Sequence, residues 1–469
     1  PIPETLKKEP FTYRRAEDAA RNFNAFYAVH FIKTPEDPCH DSGTCLVPIR
    51  NWAVRRDAKT QAIILRRAMA CNRYLRYRIR AIDAATFEIG CRPETFATEF
   101  RYLRSDPPWS LDNTKPWFIE KGPTGCMQVT YHAGEDFLDL ADGMRAIDEA
   151  ICYLNLQRGD RIGHALALGV APELHYKFKE NQIWLPRQNL LDNLIWILYR
   201  CRAWGITLSA EYQMQLERTV RQLLREIYPR ELSESPNAGY YYYESWKLRG
   251  DSPGIYRGAG GPNPVRETAA NIFLCDRIAT GKNYWYYAIN RRDWGMGKLS
   301  GARQEENILR FLYAYHFDAE VRRKGDESVY WEITKPYICL MHEIQDRMIE
   351  RIEKFGIAIE CNPSSNVLIG TFHRYEFHPI FRFNHYGLRF LESEPHMPQL
   401  KVSVNTDDQG VFDTSLEFEY ALLMSSLQRR TDDVGRRLFS DDEILAYLNH
   451  LRDMGNEQAF RPKLPARMR

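Results

Sequence analysis

Six short runs of mainly apolar residues recur along the chain, and each of them ends in polar or acidic side chains. Stretches with the apolar spacing of helices follow, for example over residues 141–156 and 416–427. Most neighbouring runs lie roughly 25 to 45 residues apart, which is room for a loop, a crossover helix and a return loop. This alternation predicts an α/β fold with parallel strands. The runs cover residues 26–33, 78–88, 126–136, 160–166, 357–366 and 400–408.

The gap between the fourth and fifth runs is much longer than one crossover needs, so we expect an inserted subdomain there. Residues 190–228 have the spacing of helices, whereas residues 240–264 are aromatic and rich in glycine and proline, which is typical of a loop. For the tyrosines at 240–243 we favour a subunit contact over a base-stacking surface. The basic residues of the insertion are interleaved with acids, which predicts a solvated helix face. They include Arg218, Arg221, Arg225, Arg249 and Arg257.

The composition is that of an ordinary globular protein, with 64 basic and 62 acidic residues and a formal net charge of +2. This balance argues against a broad basic face for nucleic acid, although it allows a local pocket for a few phosphates. No apolar stretch reaches the roughly 20 residues that span a bilayer. The ten cysteines do not form a disulfide framework, which favours a cytoplasmic location. For Cys39, His40 and Cys45 we favour a loop with free thiols over half a zinc site, because no partner pair follows at finger spacing.

The third run ends in a histidine and a carboxylate. Ala133 and Gly134 are small enough for a tight turn, which would bring Glu135 close to His132. Such a pair suits a metal ligand beside a general acid/base. Taken alone, the motif is more often a strand-end histidine bonded to a loop carbonyl.

Two later strand ends carry further candidates. His164 ends the fourth strand after Gly163, where the backbone must pass close to another group. Asp407 and Asp408 close the last run and point in different directions, so that one can bind a cation and the other a substrate. Helix N-capping is the alternative for these acids. All these candidates fall at the carboxyl ends of predicted strands, where barrels keep their active sites.

A whole series of motifs resembles the adenosine/AMP deaminase family of metal-dependent hydrolases, in the same order and over almost the whole chain. The motifs are AIDAATFE, HAGED, RIGHA, CNPSSN, the HP pair at His378, and NTDD. The resemblance implies a (β/α)8 TIM-type barrel in which a zinc-activated water attacks C6 of adenine and ammonia leaves. Zinc suits this chemistry because it lowers the pKa of its bound water to about 7.

The same resemblance implies roles for individual residues. His132 and Asp407 would ligate zinc, and Glu135 would protonate the ring nitrogen next to C6. His164 would orient the zinc-bound hydroxide, and Asp408 would hydrogen-bond the purine edge and the attacking water.

The substrate-binding set that the resemblance implies contains Gly134 and Thr86 in addition to Asp408. At the position of Thr86 the family usually has a glycine whose backbone meets the base. The threonine therefore departs from the family pattern.

A second departure concerns the metal, because the family's first strand ends in His-x-His and this sequence contains no such motif. The first two runs fit the family's third and fourth strands. We therefore expect strands 1 and 2, with two further histidine ligands, upstream of Pro1, where the initiator methionine is also missing, and we expect His30 to be structural. The implied domains are 1–170 for strands 3 to 6, 171–345 for the mainly helical insertion, and 346–469 for strands 7 and 8.

The large insertion makes the resemblance closest to the enlarged prokaryotic deaminases of anti-phage defence. These imply ATP or dATP as the substrate, converted to the inosine nucleotide, with adenosine in RNA as a further option. They also imply a large homo-oligomer and an ATPase partner subunit, without a membrane. Two alternatives stay open, a housekeeping adenosine or AMP deaminase and a non-catalytic scaffold that has lost its metal.

Overall fold

Parallel strands alternating with helices organise the described part of the chain. The computed structural model describes residues 26–36, 49–72, 75, 78–104, 127–256, 299–388 and 398–460. The predictions for Cys39, His40, Cys45 and Arg257 lie outside these ranges.

Six of the eight described strands form one sheet in which all neighbours run parallel. They are β1 (Tyr27–Lys33), β2 (Ile79–Thr86), β3 (Gln128–Ala133), β4 (Arg161–His164), β7 (Ala358–Cys361) and β8 (Val402–Val404). Each strand lies inside one of the six apolar runs, so the prediction of an α/β fold with parallel strands is confirmed. The order across the sheet is β1-β2-β3-β4-β7-β8, and within the described residues β1 and β8 are its two edges.

The central strands are mostly apolar and buried, as parallel strands covered by helices usually are, although Asp83 and His132 place polar side chains on one face. Ala81, Ile82 and Ala84 of β2 and Val129 of β3 are all fully buried. The helices of the described residues, in chain order, are α1 (Trp52–Cys71), α2 (Ala97–Arg104), α3 (Leu140–Tyr153), α4 (Leu166–Gly169), α5 (Pro172–Phe178), α6 (Arg187–Trp204), α7 (Ala210–Ile227), α8 (Arg230–Ser233), α9 (Ala238–Leu248), α10 (Leu299–Ala302), α11 (Glu306–Phe317), α12 (Ala319–Asp326), α13 (Lys335–Phe355), α14 (Pro363–Ile369), α15 (Ile380–Phe383), α16 (Gln409–Phe412), α17 (Leu416–Gln428) and α18 (Asp441–Gln458).

The described residues between β4 and β7 form mostly helices, together with an antiparallel pair of strands, β5 (Gln182–Pro186) and β6 (Ser328–Glu332). Helices α6 and α7 confirm the helical prediction for residues 190–228. The loop prediction for residues 240–264 is wrong at its start, because α9 carries the tyrosine run. Tyr242 and Tyr243 are buried inside the chain. Aromatic residues have only a modest helix penalty, and packing of this kind outweighs it.

Helix α3 is buried along its entire length, although it carries three acids besides its apolar residues. Asp148 accepts hydrogen bonds from Arg200 and Trp196 of α6, at 2.7 and 2.8 Å. Glu149 accepts one from the indole of Trp246 in α9 at 2.8 Å. The inserted helices therefore supply the partners of acids that belong to the sheet's own crossover helix.

The prediction of a solvated face is wrong for Arg249, which is fully buried. Its guanidinium donates two hydrogen bonds to Asp192, at 2.7 and 2.9 Å. Arg218, Arg221 and Arg225 of α7 are exposed, as predicted. Arg249 differs in exposure from the three arginines of α7 because the buried carboxylate of Asp192 requires a charged partner, and α9 brings Arg249 to it.

Two of the predictions made from the composition concern membrane-spanning helices and disulfide bonds. None of the helices in these ranges combines the length and apolar character that crossing a bilayer requires. The six cysteines whose state is described are free thiols.

Candidate active site

Three potential metal ligands meet at the carboxyl edge of the sheet. His132 lies near the end of β3, His164 ends β4, and Asp407 follows β8. One potential ligand atom from each residue lies within 4.8 Å of those of the other two. The sequence prediction named His132 and Asp407 as metal ligands and His164 as a catalytic residue. The parallel topology brings the three together because the carboxyl ends of parallel strands share one edge.

Gly163 allows the two histidines to approach one another. Residue His132 pairs with Gly163 across the β3–β4 ladder. A Cβ atom at Gly163 would lie 3.1 Å from His132 Nδ1 and 3.3 Å from His132 Cα, which is too close for comfortable packing. The group that the backbone passes at Gly163 is therefore the imidazole of His132.

His132 is held from behind by a buried carboxylate. Its Nδ1 lies 2.8 Å from Asp83 Oδ2, and Asp83 in β2 is fully buried. Burial alone would lower the pKa of His132, but the charge and hydrogen bond of Asp83, together with the charge of Glu135, outweigh burial and raise the pKa to about 10. A carboxylate on one nitrogen of a histidine orients the ring and leaves Nε2 as the nitrogen for a metal.

His30 contacts the same carboxylate from the neighbouring strand. Its Nε2 lies 3.6 Å from Asp83 Oδ2, and its side chain is 52% exposed. This position in β1, directly opposite Asp83, agrees with the structural role expected for His30.

His164 is enclosed by polar side chains on both of its nitrogens. Nδ1 lies 3.2 Å from Glu135 Oε1 and 2.7 Å from the amide nitrogen of Asn366. Nε2 lies 3.5 Å from Asp407 Oδ2 and 3.1 Å from the amide nitrogen of Asn362. The ring is buried, and burial together with the nearby His132 lowers the pKa of His164 well below its usual value.

The backbone is strained at two of these positions. His164 has φ 64° and Asp407 has φ 57°, both in the left-handed region that disfavours side chains with a Cβ. Such conformations cost on the order of 1–3 kcal/mol and occur preferentially at functional sites. The strained backbone at His164 and Asp407 supports a functional role for these two side chains.

The turn that carries Glu135 is fixed by a second buried carboxylate. Glu88 accepts hydrogen bonds from the backbone N–H of Gly134 at 2.8 Å and of Glu135 at 3.0 Å. Gly134 has φ +76°, and a Cβ there would lie 2.6 Å from Ile147 Cδ1, so only glycine fits. Because Glu88 occupies its N–H, Gly134 shapes the turn, and its expected contact with substrate stays a prediction.

Glu135 is poised to act as an acid. Burial raises the pKa of Glu135 to about 8, with Glu88 and Asp407 adding to the increase, although His132 opposes it. The carboxyl group is therefore largely protonated at neutral pH in the metal-free protein. A bound cation would lower this pKa.

Asp408 is not one of the three grouped potential ligands. It is exposed, and it occupies the N-cap position of α16 without a side-chain capping bond. Of the two adjacent aspartates, only Asp407 is among the three grouped ligands, and their pointing in different directions stays a prediction. The contact of Asp408 with a purine stays a prediction.

Thr86 has the backbone conformation of a glycine. It ends β2 with φ 79°, and its hydroxyl donates a hydrogen bond to the carbonyl of Lys33 at 2.6 Å. The protein therefore has a threonine where the family has glycine. The backbone of Thr86 is strained, and one hydrogen bond compensates for part of that strain.

A cavity of about 130 Å³ adjoins Glu135. Its lining includes Asp136, His175, Lys179 and Thr371 in addition to Glu135, and apolar residues complete the wall. The candidate acid therefore borders both the histidine cluster and a space that a ligand group can enter.

Sequence reasoning gave no roles to five residues that support the site. Each of the five lies within one of the motifs that resemble the deaminase family. Asp83 was the easiest to notice from the sequence, because it is an acid inside a mainly apolar strand. The residues are Asp83, Glu88, Asn362, Asn366 and His378.

Comparison with known proteins adds no family assignment: no protein-family model matches the chain, and no curated protein matches it.

Proposed function

We propose that this protein is a zinc-dependent hydrolytic deaminase that acts on the adenine base of a nucleotide. The observation that carries the proposal is the meeting of His132, His164 and Asp407 beside the carboxyl group of Glu135, which lies 3.2 Å from His164. A metal ligand set next to a proton donor is what hydrolytic removal of an amino group requires.

The residues present fit zinc, which commonly takes imidazole nitrogens and a carboxylate oxygen. His132 and Asp407 would hold it, with Asp83 orienting His132 from behind. When bound, zinc supplies a hydroxide nucleophile at neutral pH. In this proposal the six-stranded sheet belongs to a (β/α)8 barrel whose other two strands provide further histidine ligands.

The protein's own side chains have distinct tasks in the proposed reaction. Glu135 donates its proton to the ring nitrogen next to C6, which makes that carbon more electrophilic. His164 stabilises negative charge that develops on oxygen at the reacting centre. Asp408 and Thr86 contact the base, and the cavity beside Glu135 admits part of the substrate.

The substrate class and setting follow from the family resemblance. The long insertion resembles that of the deaminase subunit of the RADAR anti-phage system first, and the CRISPR-associated adenosine deaminase second. On this basis we propose ATP or dATP as substrates in the cytoplasm, a large homo-oligomer and an ATPase partner subunit.

The experiment that tests this function measures ammonia released by the full-length, zinc-loaded protein. Separate reactions contain ATP, dATP, AMP, adenosine or an adenosine-containing RNA. We expect release chiefly from the two triphosphates. Turnover of free adenosine or AMP at an equal or higher rate would refute the defence assignment in favour of a housekeeping deaminase, and no release from any substrate would indicate a scaffold.

Replacing either of the two adjacent aspartates should separate metal binding from substrate binding. Asp407→Ala is expected to weaken zinc affinity by more than about 100-fold. Removing a residue that only hydrogen-bonds to a zinc ligand already lowers metal affinity by about 10- to 100-fold. Asp408→Ala should retain zinc and lose turnover. Zinc content after dialysis against a weak chelator measures the first effect, with Asp408→Ala as the matched control. Full zinc retention in Asp407→Ala would show that Asp407 is not a ligand.

A further inference from the structure

We propose that a hydrogen-bond relay, running from the backbone of Ile380 through His378 and Asn366, fixes the proton of His164 on Nε2. His164 is then a hydrogen-bond donor toward Asp407 and not a metal ligand. The catalytic meaning of this relay rests on the proposed function, whereas its existence can be tested without any activity.

The relay begins at a backbone group that can only donate. The N–H of Ile380 donates to Nδ1 of His378 at 3.0 Å, so this nitrogen carries no proton. His378 is buried, and burial lowers its pKa to about 3, so the ring is neutral at pH 7. Its single proton is therefore on Nε2.

The second step fixes the orientation of an amide. His378 Nε2 lies 3.1 Å from Oδ1 of Asn366, and the backbone N–H of Asn362 donates to the same oxygen at 3.1 Å. Two donors on one end of the amide identify that end as the oxygen. The nitrogen of Asn366 must therefore be the atom that faces His164.

The third step assigns the tautomer of His164. The amide nitrogen of Asn366 lies 2.7 Å from Nδ1 of His164, and because it can only donate, Nδ1 accepts. Glu135 Oε1 lies farther from this nitrogen, at 3.2 Å, and the single lone pair of Nδ1 is taken by the amide. A ring that accepts at Nδ1 is neutral and has its proton on Nε2.

The surroundings of Nε2 agree with a proton at that position. Asp407 Oδ2 lies 3.5 Å away and can accept. The side-chain nitrogen of Asn362 lies 3.1 Å away, while the oxygen of the same amide has no hydrogen-bond partner within the described residues. Turning this amide by 180° hardly changes its shape. It places the oxygen on Nε2–H and moves the amide nitrogen to the position where the oxygen had no hydrogen-bond partner.

The relay changes what the cluster can do. A protonated Nε2 has no lone pair for a metal, so the ligands reduce to His132 and Asp407. His164 instead presents a fixed donor to an anionic oxygen beside Asp407, and a preorganised donor of this kind stabilises developing charge. Asn366 and His378 are positioning residues, because they act only through His164.

The relay can be tested by ¹⁵N NMR of the full-length protein labelled at histidine, with His164→Asn used to assign the His164 signals. The wild type should show a protonated Nε2 and an unprotonated Nδ1 at His164, and both signals should persist when zinc is added. In Asn366→Asp a carboxylate replaces the donating amide, so we expect the His164 proton to appear on Nδ1.

Two further variants keep this test independent of folding effects. His378→Phe removes one of the two donors that hold the amide and should yield mixed His164 tautomers. His175→Phe is the matched control, since His175 is equally buried but bonds Thr371 outside the relay, and it should leave the His164 signals unchanged.

Three results would overturn the relay: an unprotonated Nε2 in the wild type, loss of the Nε2 proton on adding zinc, or unchanged His164 signals in Asn366→Asp. The outcome is separate from that of the proposed function. A protein with the predicted tautomer that releases no ammonia would retain the relay and refute the deaminase. A protein that releases ammonia without the predicted tautomer would retain the deaminase and refute the relay.

Discussion

Replacing Glu135 by glutamine is expected to lower the rate of ammonia release by about 100- to 10,000-fold, which is the usual contribution of a positioned general acid/base. Glutamine keeps the size of the side chain but cannot transfer a proton. The buried environment that raises the pKa of Glu135 to about 8 is what would make the carboxyl group a proton donor at neutral pH. Because Glu88 binds the backbone of this turn and not the side chain, the turn itself should be preserved.

The measurement is kcat for the best substrate, together with zinc content and thermal unfolding. Glu234→Gln is the matched control, since it makes the same chemical change at an exposed acid of the insertion that pairs with Arg230. We expect the control to retain most of its activity. If Glu135→Gln retained more than about a tenth of wild-type turnover, the assignment of Glu135 as the acid/base would be incorrect.

Replacing Arg249 by methionine is expected to lower the free energy of unfolding by about 3–5 kcal/mol, because it leaves a buried carboxylate without its main partner. The two hydrogen bonds from Arg249 to Asp192 are lost. Tyr242 would still donate to Asp192 at 2.5 Å, and Arg145 Nη1 would remain 3.7 Å away. Neither contact replaces a paired guanidinium, so the charge stays poorly compensated.

Urea denaturation of the variant measures this loss. The exposed pair Arg230–Glu234 provides the control, and Arg230→Met should cost less than about 1 kcal/mol. The double variant Asp192→Leu, Arg249→Met should recover much of the stability, since it removes both charges. A loss in Arg249→Met no larger than that in Arg230→Met would mean that the charge of Asp192 is neutralised in some other way.

The six parallel strands were predictable because each is a short apolar run with its polar residues at one end, and that signal is local. The same argument placed His132, Glu135, His164 and Asp407 together, since parallel strands bring their carboxyl ends to one edge. No geometry beyond strand order was needed for this part of the site.

The supporting residues could not be predicted in the same way. The bond from Asn366 to His164 joins positions 202 apart in the chain, and its direction depends on two further donors that only the folded structure reveals. The helical tyrosine run and the burial of Arg249 have the same origin. In each case tertiary packing outweighs a local conformational or burial preference, so the local sequence alone does not predict the result.

The burial of α3 also limits how the molecule can be reduced in size. Asp148 and Glu149 belong to the helix that follows the candidate acid, yet their partners Arg200 and Trp246 come from the insertion. A shortened chain without those helices would leave Asp148 without the donors that reach it from α6, whereas Glu149 would keep Arg145 and Arg92. The insertion therefore packs as one unit with the helix that follows the candidate acid, and it cannot be removed without loss of the charge compensation at Asp148.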